Sequence, residues 1–295
     1  MSYSHKISVF MPVYNGAQFL DKSIQSILSQ TFSNFELVCV DDSSTDNSYS
    51  IIKKYAQIDK RIIALRKPNG GSVPKSWNYV LPFLTGNFIT YMSQDDWMSV
   101  DNLEMNYIRH LETGANIVVP DLVAYYNEGK NKTFKGVKGD RSLIISGKEA
   151  FILSLNWKTH GFNLCEANIM RSELFDENSF NSDEYVTRKN FLNSSKVAFS
   201  SGKFYYNRDN PNAITQNFKL HTLTSLLTDQ RLLLLMKNES IKKRIIIKYA
   251  IKSFARMIYL IYRWKKKKYQ DNEMNKFAAG LIKKHFIYLI KMSYW

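Results

Sequence analysis

The sequence has little of the chemistry that zinc knuckles, disulfide scaffolds and thiol redox sites require. Its 295 residues include only two cysteines, Cys39 and Cys165, which are far apart and belong to no CxxC pair. The five histidines are scattered, and none has the spacing of a metal cluster. This composition argues against a metal knuckle or a redox motif and fits a reducing compartment.

Long apolar runs are also missing. No stretch of 18 uncharged apolar residues occurs, so no ordinary membrane-spanning helix is expected. The N-terminal residues contain no long apolar segment before the first strand-like run, so we expect no signal peptide. Hydrophobic residues nevertheless make up 44% of the chain, which is enough for a packed core. We therefore expect a folded protein whose active site faces the cytoplasm.

Acidic residues are nearly absent from the C-terminal end, and this absence locates the net charge of +15. Residues 1–240 contain 26 Lys and Arg against 24 Asp and Glu, whereas residues 241–295 contain 15 against 2. The basic character therefore belongs to the tail and not to the rest of the chain. Such asymmetry predicts an anionic partner for the tail.

Short β-branched runs alternate with segments of helical period in the first 110 residues. The predicted strands are Ile7–Met11, Phe35–Val40, Ile62–Leu65 and Phe88–Met92, with a fifth at Ile117–Val119. The predicted helices run over about 17–28, 47–58 with Asp46 as N-cap, 73–84, 146–155 and 183–192, and the chain is helical from about Leu220. This alternation predicts an α/β fold with a mostly parallel sheet.

Polar, turn-forming residues follow each of the first four strands. They are Pro12–Asn15, Asp41–Ser44, Pro68–Gly71 and Ser93–Asp96. In an open parallel sheet these loops emerge at the carboxyl edge, where such folds bind ligands. We therefore expect the four loops to converge on one site.

Two pairs of carboxylates lie in these loops. Asp95 and Asp96 follow a buried strand, and adjacent carboxylates there suit a hard divalent ion shared with substrate phosphates. Alternatively, Asp96 or Ser99 caps a helix that begins near Val100. Asp41 and Asp42 could accept hydrogen bonds from a ribose or a base, or could serve turn formation alone.

These motifs, taken in order, resemble the nucleotide-binding half of family 2 glycosyltransferases. The resemblance rests on Pro12–Asn15, Ser26–Phe32, Phe35–Asp46, Asn69–Gly71 and Asp95–Asp96, and it extends more weakly to about residue 217. It implies a GT-A-type fold, that is, a Rossmann-like, mostly parallel sheet flanked by helices. It also implies a nucleotide-diphosphate sugar as donor, expected to be a UDP-sugar, a divalent metal (Mn²⁺ or Mg²⁺) and inversion at the anomeric carbon.

The resemblance also assigns roles by position. It implies that Asp42 reads the base, that Asp96 is the metal ligand and that Asp95 contacts the donor sugar or ribose. The donor-binding residues implied together are Pro12, Tyr14, Asn15, Asp41, Asp42, Asn69, Gly71, Asp95 and Arg208. The sequence departs from the family at Gln94, where an acidic residue is common, and at Lys75–Asn78, which lacks the usual arginine.

Two further features concern the acceptor side and the leaving group. Asp183 and Glu184 resemble the family's acidic pair at the start of a helix, which implies that Asp183, or alternatively Glu184, is the catalytic base. Without the resemblance, an acidic first turn is the simpler interpretation. Arg208 lies in a segment, Tyr205–Thr215, that resembles a loop closing over the diphosphate; alternatively it is a surface arginine.

We expect residues 1–220 to form the catalytic domain, with a nucleotide half over 1–110 and an acceptor half over 111–220. Residues 221–295 form a basic amphipathic extension. Residues 241–268 and Phe277–Trp295 mix apolar and basic side chains, so this extension either binds an anionic membrane surface or packs on the catalytic domain. The acceptor is expected to be a glycan or a lipid-linked molecule, and no nucleic-acid partner is expected.

The overall prediction is a cytoplasmic enzyme of surface polysaccharide biosynthesis, peripheral to the inner face of the membrane. A nucleotidyltransferase is a first alternative, but it should have a glycine-rich basic loop after the first strand, which Pro12–Gly16 lacks. A second alternative is an adaptor that binds membrane or nucleic acid through its tail. Such an adaptor has no need of Asp42, Asp96 and Asp183.

Overall fold

A computed structural model describes residues 4–127, 129–211, 213, 218–267 and 272–292. The chain divides into two compact units. The first contains residues up to 175 together with 186–210, and the second contains residues 176–185 together with those from 211 onward. These units are defined by packing alone. The division into a catalytic domain over residues 1–220 and an extension over 221–295 therefore stays a prediction.

The first half of unit 1 is a parallel sheet with helical crossovers. Its strands are β1 (Ile7–Val13), β2 (Phe35–Asp41), β3 (Ile62–Arg66) and β4 (Phe88–Tyr91), and its helices are α1 (Ala17–Leu28), α2 (Ser48–Ile58) and α3 (Val73–Val80). The strands lie in the order β3-β2-β1-β4, and every neighbouring pair is parallel. Val9 and Met11 of β1 belong to the same buried cluster as Leu20, Ile24 and Ile27 of α1. The predicted α/β architecture is confirmed.

The second half of unit 1 extends this sheet with strands of mixed direction. It contains β5 (Trp97–Met98), α4 (Asn102–Thr113), β6 (Ile117–Tyr125), β7 (Lys132–Phe134), β8 (Ile144–Ser146), α5 (Gly147–Ser154), β9 (Leu164–Glu166), α6 (Ala167–Met170), α7 (Ser182–Asn193, which begins in unit 2) and β10 (Lys196–Asn207). The main path of the sheet is β3-β2-β1-β4-β9-β6-β10-β5, and β7 pairs with β6 and β8 with β10 outside this path. β9 is antiparallel to both of its neighbours, β4 and β6, whereas β6 and β10 are parallel to each other.

Some predicted boundaries are wrong by a few residues, for local reasons. Asn47, not Asp46, is the N-cap residue of α2, and Asp46 instead accepts the Ser48 amide at 2.9 Å. α3 ends at Val80, and the chain continues in a 3₁₀ turn that contains Pro82. The fifth strand is longer than predicted because β6 pairs with the long strand β10.

Unit 2 is helical, as predicted from Leu220 onward. A 3₁₀ turn (Leu220–Thr224) precedes α8 (Ser225–Asn238), α9 (Lys243–Lys267) and α10 (Asn272–Met292). Its apolar core consists of Phe218, Leu223, Leu226, Met257, Leu260, Ala278 and Leu281. Across the described residues, no helix combines the length and the apolar character needed to cross a membrane.

A buried polar network lies within unit 2. The Asp229 carboxylate has no solvent exposure and accepts hydrogen bonds from Tyr249 at 2.8 Å, Ser253 at 2.7 Å and Arg256 at 2.9 Å. The Ser253 hydroxyl in turn lies 2.9 Å from Nε2 of the buried His285. Because a buried carboxylate is costly without such partners, this network fixes the packing of α8, α9 and α10.

Candidate active site

The loop after β1 is held in place by a side chain from the loop after β4. The Gln94 Oε1 accepts the Tyr14 amide at 2.8 Å, and the Gln94 Nε2 donates to the Tyr14 carbonyl at 3.0 Å. A Cβ on Gly16 would lie 2.3 Å from Cδ of Gln94, so any larger residue at this position would displace the Gln94 side chain. A carboxylate in place of Gln94 could not donate the second bond. The departure from the family at this position therefore has a structural role.

The loop after β1 also contacts the loop after β2. Asn15 has φ of 47°, a left-handed conformation that asparagine tolerates. Its amide donates to the Ser44 hydroxyl at 2.9 Å, and its Oδ1 accepts the Thr45 amide at 2.8 Å. Beside it, Tyr14 is exposed and Pro12 is half-buried at the end of β1.

The two aspartates at the end of β2 have different environments. Asp41 is fully buried, and its carboxylate accepts the Ser44 amide and the Arg66 guanidinium, the latter at 3.1 Å. It therefore makes the turn contact that was one interpretation of this pair. The Asp42 Oδ1 accepts the Lys67 ammonium, in an ion pair buried on both sides, and the Gly70 amide at 2.8 Å.

Asp42 thereby connects the loop after β2 to the loop after β3. Within the latter loop, the Asn69 Oδ1 accepts the Gly71 amide at 2.7 Å, and Gly71 has φ of +68°. A side chain at Gly71 would be strained in that conformation. The structure thus joins all four predicted loops at the carboxyl edge by hydrogen bonds, which confirms their convergence.

Asp96 is buried at this edge with one carboxylate oxygen unsatisfied. Its Oδ1 accepts the Asn207 amide at 2.9 Å, whereas its Oδ2 has no hydrogen-bond partner among the described residues. Burial raises the pKa of Asp96 well above its usual value, and the charge of Asp95 raises it further. α4 begins at Asn102 with Asp101 as N-cap, so the alternative of Asp96 or Ser99 as a helix cap is wrong.

Asp95 and Arg208 lie beside Asp96 at the ends of β4 and β10. The Asp95 Oδ2 accepts a hydrogen bond from the side-chain Nδ2 of Asn210 at 2.6 Å. The Arg208 backbone amide donates to the Tyr125 carbonyl, and its guanidinium donates to the Tyr206 hydroxyl at 3.0 Å. The predicted closing loop continues through Asn212 and Ile214–Thr215, which lie outside the described residues.

A cleft that the sequence did not reveal opens next to Asp95. Its lining residues come from α1 and from the ends of β5, β6 and β10: Gln18, Phe19, Lys22, Ser23, Asp95, Trp97, Tyr125, Asn127, Asn207 and Asp209. The Lys22 ammonium lies 3.0 Å from the centroid of the Trp97 ring, and Tyr205 stacks on that ring at 5.3 Å. Burial lowers the pKa of Lys22. Rings, amides and charges together suit the recognition of a polyhydroxylated ligand.

The predicted base residues belong to unit 2. Asp183 is exposed and Glu184 is half-buried, and both lie in the first turn of α7. That position fits both interpretations, since a helix N-terminus favours acidic side chains whatever their role. Burial lowers the pKa of Arg256, but Asp229, Tyr249 and, more weakly, the charge of Glu184 together raise it above its usual value.

Within the described residues, no group of three or more His, Cys, Asp or Glu side chains is arranged to hold a metal ion. Any ion bound at Asp96 would therefore take most of its ligands from a bound molecule and from water. This is the usual arrangement for Mg²⁺ shared with substrate phosphates.

Comparisons with known proteins agree with this arrangement. The chain is 26% identical over 260 residues to the glycosyltransferase GlyA of Streptococcus pneumoniae, covering 84% of this chain and 37% of GlyA. It is 28% identical over 298 residues to the minor teichoic acid biosynthesis protein GgaB of Bacillus subtilis, covering 94% of this chain and 32% of GgaB. The chain thus spans about a third of the length of these two curated relatives.

Solved structures establish the fold. The crystal structure of S. aureus TarS 1–349 in complex with UDP-GlcNAc matches with a TM-score of 0.68 at 18% identity, covering 83% of this chain and 71% of that one. The GT-A-type fold implied by the sequence is therefore confirmed.

Family membership decides between the classes of function considered from the sequence. The profile of the family described as glycosyl transferase family 2 matches residues 8–178, which is more than half of the chain. Both alternatives, a nucleotidyltransferase and a non-enzymatic adaptor, are thereby set aside. The protein is a glycosyltransferase and belongs to glycosyl transferase family 2.

Proposed function

We propose that this enzyme transfers a sugar from a nucleotide-diphosphate donor, with inversion, to a hydroxyl of a glycan or lipid-linked acceptor. The observation that carries the proposal is the buried Asp96, whose Oδ2 has no partner in the described structure at the edge where four loops converge. A UDP-sugar is the donor we favour, since the similar TarS structure contains UDP-GlcNAc. The relative GgaB acts in teichoic acid biosynthesis, which supports a role in making a surface polysaccharide.

In this proposal the Asp96 Oδ2 holds a divalent metal, Mn²⁺ or Mg²⁺. A buried carboxylate oxygen with no hydrogen bond is suited to an ion, because a cation would offset the cost of burying the charge. When bound, the ion neutralises charge on the departing diphosphate. Asp95, on the same turn, contacts the donor sugar or ribose, and Arg208 adds positive charge on the leaving-group side.

The loops after β1, β2 and β3 hold the nucleotide. Tyr14 is exposed beside Pro12 and Asn15, and we assign these residues to the face of the base and ribose. Asp42 contacts Lys67 and Gly70 through its Oδ1, so its Oδ2 is assigned to a base N–H. Asp41 is fully buried, and we infer that it shapes the loop rather than touching the donor.

The loop of Asn69 and Gly71 is assigned to the uridine side of the site, because it is tied to Asp42 through the intervening glycine. On the acceptor side, Asp183 is assigned as the base that removes the proton of the attacking hydroxyl, with Glu184 as the alternative. Residues 1–220 form the catalytic domain in this proposal. A lipid-linked acceptor would bring the enzyme to the inner face of the cell membrane.

A donor screen tests the proposal. The full chain is incubated with a panel of UDP- and GDP-sugars and Mn²⁺, and release of the nucleoside diphosphate is measured for wild type, Asp96→Asn and Asp183→Asn. We expect turnover with one donor, and a loss of at least about 100-fold in each variant. Glu173→Gln, an acidic residue outside the site, is the matched control and should retain activity. Equal rates for wild type and Asp96→Asn would refute the assignment.

A further inference from the structure

Helix α9 has an apolar face that the described structure leaves uncovered. Its exposed large side chains recur at spacings of three and four residues: Ile247, Ile251, Phe254, Ile258 and Tyr262. The opposite face contains its buried residues, Tyr249, Ser253, Met257 and Leu260. α9 therefore has apolar side chains on two faces, and only the face that contains Met257 and Leu260 packs in the core of unit 2.

Helix α10 extends this exposed surface. Phe286, Ile287 and Ile290 are each exposed by more than 40%, and the rings of Phe254 and Phe286 lie 6.4 Å apart. We call these three residues and the five exposed residues of α9 the outer face. Contiguous apolar patches of this kind on a folded protein mark an interaction surface.

The helices that form the outer face contain many basic side chains and almost no acidic ones. α9 contains no Asp or Glu, and α10 contains only Glu273. The exposed basic residues of the two helices include Arg244, Lys248, Lys265, Lys276, Lys283 and Lys284. Of these, Lys276 forms an ion pair, with Glu273, at the far end of α10.

This combination identifies the kind of occupant. A second copy of the chain would bring two strongly basic surfaces together, and their repulsion disfavours that pairing. A lipid surface with anionic headgroups accepts apolar side chains in its acyl boundary and places negative charge beside the lysines. We propose that the outer face lies flat on an anionic membrane surface, with α9 parallel to the bilayer plane.

Vesicle flotation of the full chain tests this proposal independently of catalysis. Wild type should float with vesicles of phosphatidylcholine containing phosphatidylglycerol and should not float with phosphatidylcholine alone. Arg244→Gln/Lys248→Gln should lower partition roughly 25-fold, because each basic residue near an anionic surface contributes about fivefold. Lys54→Gln/Lys60→Gln, exposed lysines of unit 1, is the matched control and should bind as wild type does.

The apolar side needs its own pair of variants. Ile251→Gln/Ile258→Gln should reduce flotation at least about tenfold, whereas Ile58→Gln/Leu174→Gln, exposed apolar residues of unit 1, should leave it unchanged. Circular dichroism of each variant checks that the helices persist. Two results would overturn the proposal: equal flotation of the outer-face variants and their controls, or a wild-type dimer without flotation that Ile251→Gln/Ile258→Gln disrupts.

Discussion

Replacing Lys67 by methionine should lower the free energy of unfolding by a measurable amount. The side chains of Lys67 and Asp42 are only 6% and 10% exposed, so their ion pair is buried rather than superficial. Methionine matches the lysine stem but leaves the Asp42 carboxylate with the Gly70 amide and no counter-charge. Breaking a buried pair in this way costs about 3–5 kcal/mol of the free energy of unfolding.

The double variant Lys67→Met/Asp42→Asn provides the matched control. Asparagine keeps an oxygen for the Gly70 amide and buries no charge, so the loss should fall to about 1–2 kcal/mol. Urea denaturation followed by tryptophan fluorescence measures both values. A loss below about 1 kcal/mol in the single variant would show that the pair behaves as a solvated surface pair and would refute this reasoning.

The double variant also tests whether Asp42 binds the donor, because it removes the carboxylate without leaving a buried charge. If Asp42 accepts a hydrogen bond from the base, the double variant should bind UDP at least about tenfold more weakly although it remains folded. Calorimetric titration of UDP measures this. Unchanged UDP affinity in the double variant would remove Asp42 from the donor site and leave it a structural residue.

Three further predictions concern separate parts of the chain. Gly16→Ala should weaken UDP binding in calorimetry, since its Cβ would displace Gln94 from its hydrogen bonds to Tyr14, whereas unchanged affinity would show that these bonds do not position the donor loop. His160 has a pKa lowered by burial from 6.5 to about 4, so the unfolded state takes up the proton first. Relative to His160→Gln, the wild type should therefore lose about 3 kcal/mol of stability between pH 6.5 and 4, and equal pH profiles of the two proteins would contradict this. Asp229→Ala should cost about 3–5 kcal/mol in urea denaturation, because it leaves buried donors without an acceptor; a loss under 1 kcal/mol would contradict this.

The parallel half of the sheet could be predicted because its signals are local. β1 and β2 are β-branched runs, α1 has clear helical periodicity, and turn residues separate these elements. Strands β5, β7, β8 and β9 contain two or three residues each, which is too short to show any period. Their pairing is decided by distant partners, so the mixed second half of the sheet was not predictable.

The same distinction applies to the site. The convergence of Asp42, Asp96 and the loop after β1 follows from strand order, which the alternation of elements implies. The hydrogen bond between Tyr14 and Gln94, 80 positions apart, and the contact between Lys22 and Trp97 both depend on side-chain geometry alone. Adjacent aspartates also look alike in sequence, and only burial and partners separate the roles of Asp41 and Asp42.

The central role in the proposed site belongs to Asp96, as the residue that couples a divalent ion to the nucleotide. Calorimetric titration of UDP into wild type and Asp96→Asn, each with Mn²⁺ and with EDTA, tests it directly. We predict that Mn²⁺ tightens UDP binding to wild type at least about tenfold and that Asp96→Asn loses this gain while it remains folded. The same Mn²⁺-dependent gain in both proteins would show that Asp96 does not hold the ion.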